Sequence, residues 1–312
     1  PMFHVNAWGT PYSAAMSGAK IVFPGAGMDG KNLHELIESE QATLLLGVPT
    51  VWLGLLNYLD SINAKMHSVN HVVVGGSAAP LAMVRAFDEK HDAFLIHAWG
   101  MTEMSPLGTV NSPTTELMAL PKEDRYKRQL KQGRPIYGVD LKIIDDDGNE
   151  LPRDGKAYGR LLVRGPWITS GYYKSEDRSA FVDGWFDTGD VATLDSLNTM
   201  QIVDRRKDVI KSGGEWISSI DLENIAVGHQ AVKEACVIGV PHPKWDERPI
   251  LLVVLKDGAS ATKEDIITYV SQHIAKFWTP DDVIFVPDLP HTATGKLHKV
   301  PLREKFANHL MV

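Results

Sequence analysis

Between residues 20 and 100, short apolar runs alternate with amphipathic stretches of helical period. Lys20–Phe23, Thr43–Leu46, Val72–Val74 and Phe94–His97 read as strands. Asn32–Glu40, Val51–Leu59 and Leu81–Lys90 read as helices. That alternation predicts a parallel sheet covered by helices. Ligands of such sheets lie beyond the carboxyl ends of the strands. Two loops leave those ends here, Gly75-Gly-Ser-Ala-Ala-Pro80 and Ala98-Trp-Gly-Met-Thr-Glu103.

From about Gly133 the pattern changes to period two. Tyr137–Ile144, Gly159–Val163 and Met200–Val203 read as antiparallel strands, with Asp147-Gly148 as a hairpin turn. Beyond Arg206 the chain reads as a compact α+β unit. Ser218 and Thr262 open helices with capping signals, and Ile266, Val270 and Ile274 share one helical face. Strands are expected at Ala235–Val240, Ile250–Leu255 and Asp282–Val286. The expected organisation is α/β: residues 1–204 form a large region, divided into a sheet at 1–130 and a β-rich part at 131–204, and residues 205–312 form a small domain.

Composition narrows the class. A chain of 312 residues, 44% hydrophobic and 23% charged, suits a globular protein, and a net charge of -7 argues against nucleic acid as partner. The cationic run Lys122–Lys131 contains Glu123 and Asp124 and reads as a solvated helix face. Cys236 is the single cysteine, so no intrachain disulfide can form, and a reducing, cytoplasmic setting fits. Its apolar neighbours predict a buried thiol. The apolar stretch Leu44–Leu59 is interrupted by Gly47-Val-Pro49 and is short for a membrane span. Pro1-Met-Phe-His enters an apolar segment with no polar lead, which raises the expectation of a C-terminal part of a longer chain.

Four groups of residues suit chemistry on a nucleotide. Asp190, in Gly184-Trp-Phe-Asp-Thr-Gly-Asp190, offers a carboxylate to a ribose diol, or else ends a turn. Thr102 and Glu103 suit phosphate and a hard cation, or else the start of a helix. Gly75 and Gly76 permit close backbone approach, though glycine pairs end many strands. Lys296 stands alone at the tip of Thr292-Ala-Thr-Gly-Lys296, as a ligand-reaching or a merely solvated amine. This loop lacks the leading glycine and the hydroxyl after the lysine that a P-loop requires.

Taken in order, Gly133-Arg-Pro, the 184–190 motif, Asp204-Arg-Arg-Lys-Asp-Val-Ile-Lys-Ser-Gly-Gly-Glu-Trp216 and Gly295-Lys296 closely resemble the adenylate-forming acyl-CoA synthetases. The resemblance covers essentially the whole chain. Pro1-Met-Phe-His-Val-Asn-Ala-Trp8 is most similar to the medium- and long-chain fatty acid branch, within it the methylmercaptopropionate-CoA ligases that serve dimethylsulfoniopropionate degradation. The resemblance implies a small β-barrel-like subdomain, a mobile C-terminal domain and a homodimer. It also implies ATP, Mg2+ and coenzyme A as the small molecules bound, together with a carboxylic acid.

Carried over residue by residue, Gly75, Gly76, His97, Ala98, Trp99 and Gly100 would frame the adenine, with Thr102 on phosphate and Glu103 on Mg2+. Asp190 and Arg205 would hold the ribose, and Lys207 would be the hinge. Lys211, Gly214 and Trp216 would approach the nucleotide from the far side, and His4, Val5 and Trp8 would line the acyl entrance. Lys296 would bridge the carboxylate and the α-phosphate. Trp99 stands where the family usually has Tyr, and Ala98 where Gln, Asn or Gly is common. The family's Ser/Thr/Gly-rich phosphate loop is not found in this sequence. The implied substrate is a short- or medium-chain acid, 3-methylmercaptopropionate first. The alternatives are a long-chain fatty acid ligase and, further off, a non-catalytic nucleotide-binding paralogue.

Overall fold

A computed structural model describes residues 2–311. The chain divides into two compact units. Unit 1 is residues 1–79 with 83–202, and unit 2 is residues 80–82 with 203–312.

Unit 1 contains the expected parallel strands. Leu44–Gly47, His71–Val74 and Phe94–Gly100 pair in that order, and Leu107–Val110 and Arg134–Pro135 extend the sheet antiparallel to five strands. Helices Gly30–Glu40 and Pro49–Ser61 cover it through Leu33, Ile37, Trp52, Leu55 and Leu59. Asp29 caps the first of these through the Asn32 N–H. The expected strand at Lys20–Phe23 does not form. Its apolar residues gain no neighbouring ladder among the described residues, and Phe23 stays 61% exposed.

The second sheet is antiparallel. Its path runs Met200–Arg205, Trp185–Leu194, Tyr158–Arg164, Asp140–Ile144, and Phe181–Val182 pairs with Trp185–Leu194. The boundary between the two units falls within the first of these strands, after Ile202. The strand expected from Tyr137 starts only at Asp140, because Gly138 has φ +88° and turns the chain first. The Asp147-Gly148 signal is realised: Gly148 has φ +90° and Asn149 N–H donates to the Asp145 carboxylate at 2.8 Å. Helix Lys122–Gln129 is more than a solvated face. Tyr126 is fully buried, Arg125 and Lys122 pair with Asp88, and Lys131 pairs with Asp195 at 2.9 Å.

Unit 2 is built on a five-stranded sheet in which Val232–His242 and Asp246–Leu255 form the long central hairpin. Alternate residues supply two cores. Val237, Leu251 and Val253 meet Leu222 and Ala226 of helix Ser219–Val227 and Ile266 and Val270 of helix Lys263–Ser271. Cys236, Ile238, Ile250 and Leu252 share the other face with Leu302 of helix Lys299–Phe306. Covering both faces explains why these strands read as unbroken apolar runs rather than alternating ones. Both capping signals hold: the Ser218 hydroxyl accepts from Asp221 N–H, and Thr262 with Asp265 forms a reciprocal capping box. Cys236 is fully buried, and burial pushes its thiol up, away from the reactive thiolate.

Candidate functional site

In unit 1 the strand Phe94–Gly100 ends in the tight turn that carries Thr102 and Glu103. Gly100 is required there for a steric reason: a Cβ would stand 1.9 Å from the Pro106 carbonyl oxygen. Met101 N–H donates to that same oxygen at 2.8 Å. Thr102–Met104 forms one short 3-10 turn capped by Met101, with no side-chain cap bond, so Thr102 does not serve as a helix cap. A cavity of about 320 Å³ opens beside it, lined by Thr102, Glu103, Ser105, Trp167, Thr169 and Tyr172. Tyr172 donates its hydroxyl hydrogen to Glu103 Oε1 at 3.0 Å, and the Thr169 N–H donates to the Glu103 carbonyl at 2.8 Å. Sequence reasoning missed Tyr172; the aromatic pair Tyr172-Tyr173 was its only trace. A larger cavity of about 420 Å³, lined by Asn111, Leu117, Arg128 and Tyr137 among others, holds none of the expected site residues.

Trp99 and Asp190 come together although 91 positions separate them. The indole Nε1–H donates to Asp190 Oδ2 at 3.0 Å, with Trp99 9% exposed and Asp190 3% exposed. The turn that aims Asp190 is built by its neighbours. Asp187 accepts from Gly189 N–H at 3.0 Å with one oxygen, and from Arg160 at 2.6 and 3.1 Å with the other. Thr188 donates to the Leu161 carbonyl at 3.0 Å and accepts from Asp190 N–H at 3.1 Å. The pairing register with Tyr158–Arg164 shifts at this point, so Thr188–Asp190 forms a bulge. The local turn role that the sequence left open for Asp190 therefore belongs to Asp187. Asp187 lies within the 184–190 motif without a role of its own there, and Arg160 carried no sequence signal.

His97, next to Ala98 on the same strand, is buried and bonds the carbonyls of Leu130 at 3.2 Å and Ser77 at 3.4 Å. Burial pulls it down to about 4, so it is neutral at physiological pH. Gly75 faces Trp8, whose ring would lie 3.2 Å from a Cβ at that position. His4, Val5 and Trp8 lie at a left-handed turn, with φ +44° at Val5 and +58° at Trp8.

Within unit 2, Arg205 begins a turn in which its carbonyl accepts from Asp208 and Val209 N–H at 2.8 and 2.9 Å, and Lys207 is exposed at the apex. Ile210–Ser212 and Glu215–Ile217 form a hairpin that sets Lys211 opposite Trp216. Its two loop residues, Gly213 at φ +57° and Gly214 at φ +85°, are the pair that a type I′ turn demands. Lys296 closes a second turn: Thr292 N–H donates to the Lys296 carbonyl at 2.8 Å, and Lys296 N–H to Thr292 Oγ1 at 3.2 Å.

The donor set fits a hard cation of modest protein ligation. Glu103 is the one carboxylate lining the smaller cavity, and hydroxyl side chains surround it. No cluster of three or more metal-ligating side chains occurs among the described residues. A magnesium ion carried largely by substrate phosphates needs no more than that.

The sequence model of the AMP-binding enzyme family matches residues 1–173, and that of its C-terminal domain matches residues 221–296. The chain belongs to the AMP-binding enzyme family. Its relatives include the 3-methylmercaptopropionyl-CoA ligase of Ruegeria pomeroyi, 51% identical over 99% of this chain and 58% of the relative. The medium-chain-fatty-acid–CoA ligase of Ectopseudomonas oleovorans is 49% identical over 100% of this chain and 57% of the relative. The chain thus spans less than two thirds of the length of the curated relatives it matches. Among solved structures, the anthranilate CoA ligase AuaEII with anthranoyl-AMP superposes with TM-score 0.82 at 26% identity, covering 94% of this chain and 55% of that one. ATP-bound MatB from Rhodopseudomonas palustris superposes with TM-score 0.80 at 26% identity, covering 99% and 59%. No helix among the described residues is long and apolar enough to cross a membrane.

Proposed function

We propose that this chain carries the greater part of an ATP-dependent acyl-CoA ligase. A carboxylate reacts with ATP to give acyl-AMP and pyrophosphate, and coenzyme A then displaces AMP to give the thioester. The observation that carries the reading is the buried Trp99–Asp190 bond, which brings the 97–103 and 184–190 motifs to one place. The names of the relatives support the thioester product.

The first step brings two anions together. At about 4 Å and an effective dielectric near 20, each pair of unit charges repels by roughly 4 kcal/mol, about three decades of rate. In this reading Lys296 supplies the compensating cation between the carboxylate and the α-phosphate. Glu103, positioned by Tyr172, would hold Mg2+, which when bound would neutralise phosphate oxygens, and Thr102 would contact phosphate. Asp190 and Arg205 would take the ribose hydroxyls, and Gly75, Gly76, His97, Ala98 and Trp99 would border the adenine. Lys211, Gly214 and Trp216 would serve from the small domain at 205–312, which would turn about Lys207 for the second step. His4, Val5 and Trp8 would line the entrance for the acid.

The first candidate acid is 3-methylmercaptopropionate, supported by relatives at 51% identity. Medium- and long-chain fatty acids are the second reading, supported by relatives at 49% and 45%. A homodimer is what the family resemblance implies, and a cytoplasmic setting is what the single cysteine suits. Pyrophosphate release by the complete protein, followed across a panel of acids from three to sixteen carbons with kcat/KM for each, tests the proposal. A peak at 3-methylmercaptopropionate is expected; no release with any acid would overturn the ligase reading.

A further inference from the structure

Helix Lys299–Phe306 follows closely on the Lys296 turn, and Leu302 and Phe306 pack it on one face of the central hairpin. Leu302 is its one buried residue, and no side chain caps its start. Buried charge fixes its first turn as well. The Lys299 amine lies 2.7 Å from Glu223 Oε1 and donates to Ser219 Oγ at 2.6 Å, and the two charged side chains are 11% and 13% exposed. Ser219 N–H donates to Asp204 Oδ2 at 2.7 Å, and Asp204 is 1% exposed. Glu223 also accepts from Val237 N–H at 2.8 Å, which fixes it to the central hairpin. Further along the helix, Arg303 pairs with Asp208. The turn Asp204–Asp208, which carries Arg205 and Lys207, is therefore tied to this one helix at both ends.

Burial opposes the charge on Lys299, and the Glu223 carboxylate beside it outweighs that opposition, holding the amine above the ordinary lysine range. A buried ion pair is a poor source of net stability but an exacting one of geometry, because breaking it strands a charge. The arrangement thus sets where the helix, and the Lys296 turn joined to it, can sit.

We propose that Lys299, seconded by Arg303, is a positioning residue that locks the Lys296 turn to the Asp204–Asp208 turn, so that the two move as one body. The inference rests on the reading of Lys296 as the adenylation lysine. It assigns Lys299 no contact with substrate.

The test uses the complete protein and the variants Lys299→Met and Lys299→Arg. Lys299→Met should slow adenylation by about 100-fold, the scale of a 1 Å misplacement, with thioester formation from preformed adenylate held within about threefold. Lys299→Arg should recover most of the lost rate. Equal loss in both half-reactions would overturn the proposal. If Lys299→Met fails to fold, Lys299→Met with Glu223→Leu removes both charges together and is measured in its place.

Amide exchange decides the matter independently of activity. Residues 204–208 and 292–298 should both exchange at least about tenfold faster in the variant, while helix Lys263–Ser271 keeps its rate. Unchanged exchange, or loosening of one segment without the other, rejects the linkage. A wild-type protein that forms no adenylate would remove the reading of Lys296 as the adenylation lysine, and exchange would still report whether the two turns are coupled.

Discussion

Replacing Trp99 with Phe tests whether the indole serves the nucleotide through Asp190. Phe keeps an aromatic ring in a position that is 9% exposed but removes, with the Nε1–H that reaches Asp190 at 3.0 Å, part of the indole's packing volume, so a double-mutant cycle is needed to isolate the bond. A hydrogen bond to a charged group contributes about 1.5–3 kcal/mol. At about 1.4 kcal/mol per decade, the nucleotide should bind about 10- to 100-fold more weakly. Because the bond orients a binding group, KM for ATP should rise while kcat at saturating ATP stays within about threefold. Calorimetric titration with a non-hydrolysable ATP analogue gives the same quantity without turnover. Asp190→Asn, alone and combined with Trp99→Phe, closes a double-mutant cycle, and a coupling of at least about 1 kcal/mol is expected. Coupling under about 0.5 kcal/mol together with an unchanged KM would show that the indole and the carboxylate act separately.

Lys296→Ala should abolish adenylation, by about three decades, and spare thioester formation from preformed adenylate; single-turnover assays of each half-reaction check this. Arg160→Met strands Asp187, whose side chain is 9% exposed, at a cost of about 3 kcal/mol. Its Tm should fall by about 6–12 °C in a thermal scan, and Arg160→Met with Asp187→Leu should recover most of it. Burial, reinforced by Asp204, raises Asp221 from 3.8 to about 6. The folded chain therefore binds more protons than the unfolded one between about pH 4 and 6, and this contribution is lost as the pH rises through that window. Asp221→Asn should be the more stable protein at pH 7.5, by at most about 3 kcal/mol, with the advantage gone near pH 4 in denaturant titrations.

Local chemistry was legible along the chain. The Gly-Gly pair at 213–214 announces a turn that needs two positive φ values, Thr262 with Asp265 announces a capping box, and Asp147-Gly148 announces a hairpin. Each depends on a few neighbouring atoms, so sequence order suffices. The parallel strands were likewise readable, because short apolar runs alternating with helical stretches are the pattern of a helix-covered parallel sheet. Lys20–Phe23 is a comparable short apolar run and forms no strand, since a strand exists only where another offers it a ladder.

The site divides along the same line. Asp190, Glu103 and Lys296 stood out because acids and amines in short glycine-bearing loops have few structural uses. Their supports did not stand out. Arg160, Tyr172, Ser219 and Glu223 are ordinary residues in sequence, and they matter through partners 27, 69, 80 and, for Glu223, Val237, 14 positions away. Residue types and short spacings carry local geometry and the inventory of reactive groups. Which buried charge meets which donor is decided only when distant strands and helices close on each other, because a charge removed from water takes whatever partner the packing brings within about 3 Å.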